Sequence, residues 1–129
     1  MKQRITVEQL QELTPEQQQK LRELWKPNYG DCACEVGESD YVEQYKDDPY
    51  RHVIENAQNI LNNSLPLLDI GQMIELLNNK RNQAETLEIH APIGLIDRWC
   101  VWYANGAFPK RYETHELCDA LWESVKEAL

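Results

Sequence analysis

The sequence predicts an α+β fold, in which a small antiparallel sheet, including a hairpin over residues 98–113, is packed by four to five short helices. Two observations predict this class. Apolar residues at helical spacing follow capping motifs at the start and in the middle of the chain, and a β-rich run over residues 99–103 precedes Asn105-Gly106, a strong hairpin signal. Because domains cluster near roughly 100–150 residues, the 129 residues are expected to form a single domain over 1–129.

The first helical segment contains two capping boxes. Thr6 with Gln9, and Thr14 with Gln17, each place a hydroxyl and an amide three residues apart. Pro15 follows at the first helical position, where its missing N–H costs nothing. We therefore expect a short helix, a break, and a second helix that ends at Pro27.

Two further helices are predicted in the middle of the chain. Asp48-Pro49 begins one that continues to residue 61, before an Asn-Asn-Ser breaker. Asp69, with Gln72 three residues later, begins another. The i, i+3, i+4, i+7 spacing predicts that this second helix buries Ile70, Met73, Ile74 and Leu77.

Strands are expected next, followed by a last helix. Leu87 and Ile89 alternate with polar neighbours, as in a half-buried strand. Trp99 and Trp102 would point to opposite faces of the following strand, so that one packs into the core and the other is either covered by a helix or exposed toward a partner. The returning strand contains Pro109 and is expected to lie at an edge or to carry a bulge. A final helix from Thr114 should bury Leu117, Cys118, Leu121, Trp122 and Val125.

The net charge of −9 is concentrated in one segment. Residues 27–48 carry seven acidic side chains against one lysine, a net of −6. This sign disfavours direct nucleic-acid binding, which needs cations for the phosphates. We expect a protein partner that is bound through this acidic surface and one of the two strand tryptophans. The candidate interaction residues are Asp31, Glu35, Glu38, Asp40, Glu43, Asp47, Asp48, Trp99 and Trp102.

The sequence contains no persuasive catalytic or cofactor motif. Cys32 and Cys34 are separated by a single residue, whereas the cysteine pairs of structural zinc sites have two to four residues between them. The surrounding carboxylates would also suppress a thiolate nucleophile. We predict a non-enzymatic protein without cofactor or metal. Two alternatives remain: a small-ligand binder or sponge, for instance for a nucleotide, with a pocket near Arg98, Lys110 or Arg111, and a metal-stabilised or catalytic protein.

The expected location is the cytoplasm. The N-terminal residues lack the apolar stretch of a signal peptide, and no apolar run approaches the roughly 20 residues of a membrane span. In that reducing compartment the four cysteines should be free thiols. No membrane partner is expected, and self-association into a homo-oligomer stays open.

Three stretches carry a resemblance to a known group of proteins. They are LTPEQQQKLRELWKP over residues 13–27, LPLLDIGQMIELL over 65–77 and ELCDALWESVKE over 116–127. In style and order of segments the chain resembles small uncharacterised proteins of phages and prophages of Gram-positive bacteria such as clostridia. The match covers about a third of the chain. The group has no established activity, so the resemblance implies no functional residues. Together with the acidic segment, the strand tryptophans and the lack of a catalytic set, it leads us to expect a phage-encoded accessory or anti-defence factor in a bacterial host cell.

Overall fold

The structure, a computed structural model, describes residues 1–26, 32–35, 64–104 and 110–129. Contacts divide the chain into two compact units, one formed by Met1–Arg4 with Asp69–Leu129 and the other by Ile5–Leu68. The described residues form four α-helices and two antiparallel sheets, which confirms the α+β class. The helix predicted from Asp48-Pro49 lies outside the described residues, and the single domain stays a prediction.

The unit Ile5–Leu68 begins with two capped helices, α1 (Val7–Leu10) and α2 (Pro15–Leu24). Both predicted capping boxes form. At the second, Thr14 Oγ1 accepts from the Gln17 N–H at 3.2 Å, and Gln17 Oε1 accepts from the Thr14 N–H at 3.0 Å. Helix α2 ends at Leu24, earlier than the predicted Pro27. Pro27 disfavours the helical region at Lys26, the residue before it, and Trp25, one residue earlier, is already extended with ψ of 125°.

The same unit contains a two-stranded sheet of β1 (Ala33–Glu35) and β2 (Ser64–Pro66). Ala33 pairs with Pro66, and the N–H of Leu67 donates to the Cys32 carbonyl at 2.8 Å. The sequence analysis missed β2, because a three-residue strand with a proline has no detectable periodicity. The buried apolar residues described in this unit are Ile5, Leu10, Leu13, Leu21, Trp25, Ala33, Leu65, Leu67 and Leu68.

The unit of Met1–Arg4 and Asp69–Leu129 contains α3 (Ile70–Lys80), which starts at the predicted capping box. Asp69 Oδ1 accepts from the Gln72 N–H at 2.8 Å, and Gln72 Oε1 accepts from the Asp69 N–H at 2.9 Å. Met73 and Leu77 are fully buried, as predicted. The other two predicted core residues, Ile70 and Ile74, are half-buried.

The last helix, α4 (Leu117–Ala128), buries all five residues that its periodicity predicts. It begins three residues after the predicted Thr114, whose hydroxyl instead donates to the Glu116 carbonyl just before the helix. The N-terminal segment binds α4: Lys2 Nζ lies 2.6 Å from Asp119 Oδ1, and the Lys2 N–H donates to Glu116 Oε2 at 3.1 Å.

The three-stranded sheet of this unit has the order β3 (Thr86–His90), β4 (Trp99–Ala104) and β5 (Tyr112–Thr114). All pairs are antiparallel, and Val101 pairs with both Ile89 and Tyr112. A two-residue loop at Asn105-Gly106 would pair Val101 with Lys110. Val101 pairs with Tyr112 instead, so the predicted hairpin forms with its register shifted by two residues. Asn105-Gly106 itself lies outside the described residues.

Two faces of this sheet differ in what they contact. Val101 is fully buried, and the Tyr103 hydroxyl on the same face donates to the Leu77 carbonyl of α3 at 2.6 Å. Because side chains alternate along a strand, Trp102 belongs to the opposite face. Helices therefore pack on the Val101 face, as the α+β architecture predicts, and the Trp102 face carries polar and aromatic residues.

Candidate interaction surface

A tight turn closes the connection between β3 and β4. Ile93 and Ile96 exchange both backbone hydrogen bonds, each with an N···O distance of 3.1 Å, across the two-residue turn Gly94-Leu95. Gly94 has a φ of +62°, as the first central position of type I′ and II′ turns requires. Residues 93–96, here called the hairpin tip, therefore have a defined backbone.

The hairpin tip exposes three large aliphatic side chains. Leu95 is fully exposed, and Ile93 and Ile96 are 72% and 67% exposed. Five large apolar residues are exposed in the part of the chain that the structure describes, and three of them fall in these four positions. Singly scattered exposed apolar residues are ordinary, whereas contiguous apolar patches are often binding surfaces.

Charged residues surround the base of the hairpin tip. The Nδ1 of His115 donates to the Asp97 carbonyl at 3.0 Å, and it lies 3.9 Å from Asp97 Oδ2. Arg98 is exposed next to Asp97 along the chain. The apolar tip therefore has a polar rim of both charge signs, which is the usual composition of the edge of a protein interface.

A second surface lies on the Trp102 side of the sheet. The guanidinium carbon of Arg111 lies 4.8 Å from the Trp102 ring centroid, and the His90 ring lies 4.3 Å from it at a tilt of 44°. Cys100 Sγ lies 3.9 Å from Glu113 Oε1 on the same face. We call this surface the open face and define it by Glu88, His90, Cys100, Trp102, Arg111 and Glu113.

The structure places the two predicted strand tryptophans as follows. Trp102 lies at the centre of the open face and is half-buried, so it stays a candidate contact. Trp99 shares the face of Val101 and is also half-buried. They do point to opposite faces, but the fully buried residue of this strand is Val101 rather than either tryptophan.

The predicted acidic surface cannot be placed. Asp31, Glu38, Asp40, Glu43, Asp47 and Asp48 lie outside the described residues. The backbone of Glu35 belongs to β1, where it pairs with Ser64, and its side chain is not described. This part of the interaction hypothesis therefore stays a prediction.

The three basic residues proposed for a ligand pocket have different surroundings. Lys110 Nζ lies 3.4 Å from Glu127 Oε2 and 5.3 Å from the Tyr112 ring centroid. Arg111 lies over Trp102, and Arg98 is exposed near the hairpin tip. Nothing in their described surroundings favours a nucleotide site.

Cys32, Cys100 and Cys118 are free thiols, and the surroundings of Cys100 and Cys118 favour the protonated form. Burial raises the pKa of Cys118 to about 11. Burial and the Glu113 carboxylate raise the pKa of Cys100. A thiolate nucleophile needs the opposite shift. Within the described ranges, no group of three or more His, Cys, Asp or Glu side chains is arranged to hold a metal ion.

The hairpin tip is the surface that the sequence analysis missed. Gly94-Leu95 is a Gly-X pair of the type that closes two-residue hairpins, and it separates two strands. Three aliphatic residues at such a turn cannot all reach the core, and this was the available signal.

No protein-family model matches the chain, and comparison with curated proteins and solved structures found no similar protein. Among the described residues, none of the helices is long and apolar enough to cross a membrane.

Proposed function

We propose that this chain is a non-enzymatic interaction protein that binds a partner protein by inserting the hairpin tip into an apolar cleft. The observation that carries the proposal is the exposure of Ile93, Leu95 and Ile96 on a turn held by two backbone hydrogen bonds. A rigid tip loses little conformational entropy on binding, so more of the burial free energy remains as affinity.

The size and shape of the tip favour a cleft on a protein. Three exposed aliphatic side chains present on the order of a few hundred Å², which is comparable to the largest apolar patches of monomeric proteins, and such patches are often functional. A convex tip of this size fits a concave pocket better than a flat surface. The net charge of −9 opposes an anionic bilayer, which attracts basic proteins.

The acidic segment and the resemblance to phage proteins extend the proposal to a type of partner. The net −6 of residues 27–48 favours a partner with a basic surface, because opposite potentials steer association. The resemblance favours a host or anti-phage defence protein of a bacterium. On this proposal the chain is a phage-encoded accessory or anti-defence factor in the host cytoplasm.

The proposal is tested by affinity capture from host lysate with matched variants. The tip variant carries Ile93→Ser, Leu95→Ser and Ile96→Ser, and the control carries Leu24→Ser, at a 42% exposed leucine of α2. We expect a protein that the wild type and the control retain and that the tip variant loses at least tenfold. Equal retention by the tip variant would contradict the proposal.

A second arm of the same experiment tests the acidic segment. Raising the salt concentration screens exposed charges, since the Debye length falls to about 3 Å at 1 M. We expect salt to weaken capture without abolishing it, because the apolar contact persists. Capture that ignores salt would remove the electrostatic part of the proposal and leave the tip contact.

A further inference from the structure

The open face has a regular arrangement of charge that follows from strand register. Glu88 on β3 pairs with Trp102 on β4. Val101 pairs with Tyr112, so the same register of β4 and β5, continued by one residue, places Arg111 opposite Trp102. The Arg111 guanidinium indeed lies over the Trp102 ring. The first row across the sheet is therefore Glu88, Trp102, Arg111. His90 pairs with Cys100, and Cys100 pairs with Glu113, which gives a second row.

We propose that the open face binds the open face of a second copy of this chain. The two-fold axis lies in the interface and runs parallel to β4. It places β3 of one copy opposite β5 of the other. Glu88 then faces Arg111 of the second copy, and His90 faces Glu113. The first row then sets opposite charges face to face and the second sets an imidazole against a carboxylate that can accept its N–H, both under one rotation, as an isologous interface requires.

The centre of the face has the composition of an interface core. Trp102 and Cys100 lie on β4, at the axis, and both are half-buried. His90, Arg111 and Glu113 are exposed around them. Tryptophan at the centre of a patch with charged residues at its edge is the arrangement in which most binding free energy is found.

The dimensions of the sheet predict a weak dimer. Five residues of β3 extend about 17 Å, and three strands span about 10 Å between the outer two. A face of this size buries less than the roughly 800 Å² per partner of a standard interface. We therefore expect a dissociation constant of the dimer in the micromolar range or above.

This dimer goes beyond the proposed function and does not depend on it. The same rotation keeps the strand direction, so both hairpin tips would lie at one end of the dimer. Two tips at one end allow bivalent binding to a partner that itself has two clefts.

A charge-swap cycle tests the dimer by sedimentation of the full chain from micromolar to millimolar concentration. The wild type should shift from monomer to dimer. Glu88→Arg and Arg111→Glu should each weaken the dimer at least tenfold, because each places like charges opposite each other. The double variant restores opposite charges and should return most of the affinity. Glu75→Arg, at an exposed position of α3, is the matched control and should leave the dimer intact.

Three outcomes would overturn the inference. They are a wild type that stays monomeric throughout, a dimer that neither single swap weakens, and a double variant as weak as the singles. Circular dichroism of each variant distinguishes a lost interface from lost folding. Affinity capture with the Glu88→Arg variant keeps the two proposals distinguishable. A monomeric variant that still retains the captured partner shows that partner binding does not require the dimer.

Discussion

Ile93 and Ile96 hydrogen bond to each other through both backbone N–H and C=O groups while their side chains stay exposed. The backbone at the hairpin tip is thus fixed by local bonds and does not need side-chain burial. Apolar side chains on such a turn are free for another contact. This relationship leads to the first prediction.

The serine variant of the hairpin tip should fold as stably as the wild type. Its three side chains are exposed, and substitutions at exposed positions usually change the free energy of unfolding by at most about 0.5 kcal/mol. Urea denaturation measures this value. A loss above about 2 kcal/mol would mean that the tip side chains stabilise the fold, and their exposure would then give no argument for binding.

Gly94→Ala should destabilise the protein by about 1 kcal/mol. Its φ of +62° costs an L-residue roughly that amount, although there is open space for the added methyl group. Gly71→Ala is the matched control: Gly71 lies in the first turn of α3, where an added Cβ meets Asp69 Oδ1 at an ordinary 3.4 Å. The control should be neutral or stabilising by up to about 1 kcal/mol. Equal effects in urea denaturation would contradict the tip conformation.

Tyr103→Phe should cost about 1 kcal/mol at neutral pH, because it removes the hydrogen bond to the Leu77 carbonyl. Burial, with a smaller effect from Glu85, raises the pKa of Tyr103 to about 12. Since this pKa lies above the unfolded value near 10, the folded state holds the proton more tightly. The wild type should therefore lose stability between about pH 10 and 12, and the phenylalanine variant should lose less. Parallel pH dependences in guanidinium denaturation would contradict the buried hydroxyl.

Asp69→Ala should cost about 1 kcal/mol, because it breaks the capping box of α3. Asp69→Asn keeps the side-chain acceptor and loses the ion pair with Arg4, whose Nη2 lies 4.0 Å away. An exposed pair at that distance contributes little, so the asparagine variant should stay within about 0.5 kcal/mol of the wild type. If asparagine proved as costly as alanine in thermal unfolding, the charge rather than the cap would stabilise the helix.

Cys118 should resist alkylation in the folded protein. Its side chain is fully buried, so the reagent cannot reach the sulfur. Burial also raises its pKa to about 11, so little of the reactive thiolate is present at pH 8. Cys100 is half-buried and should react faster. Peptide mass spectrometry after iodoacetamide treatment measures both. Labelling of Cys118 at the rate seen in urea would place the residue outside the core.

Local chemistry made much of the fold predictable. Capping boxes depend on residues three apart, so Thr6, Thr14 and Asp69 could be identified directly. The face of α4 could be predicted because one helix carries a complete apolar stripe. The pairing of β1 with β2 could not, because it joins residues some 30 apart and has no periodic signal.

The candidate surfaces were predicted less well. Trp102 was identified from strand alternation, but its neighbours Arg111 and His90 depend on the register of three strands. That register differs from the one that Asn105-Gly106 suggests. The hairpin tip required knowing that the apolar residues of one turn stay outside the core, which is a tertiary property.

The central claim is that the hairpin tip contacts a partner protein, and position-specific photocrosslinking tests it most directly. A photoreactive residue at Leu95, compared with one at Leu24, would be activated in cells that make the protein. The account predicts one dominant crosslinked protein from position 95 that is absent from position 24. Identical crosslinks from both positions, or none from position 95 while capture succeeds, would contradict it.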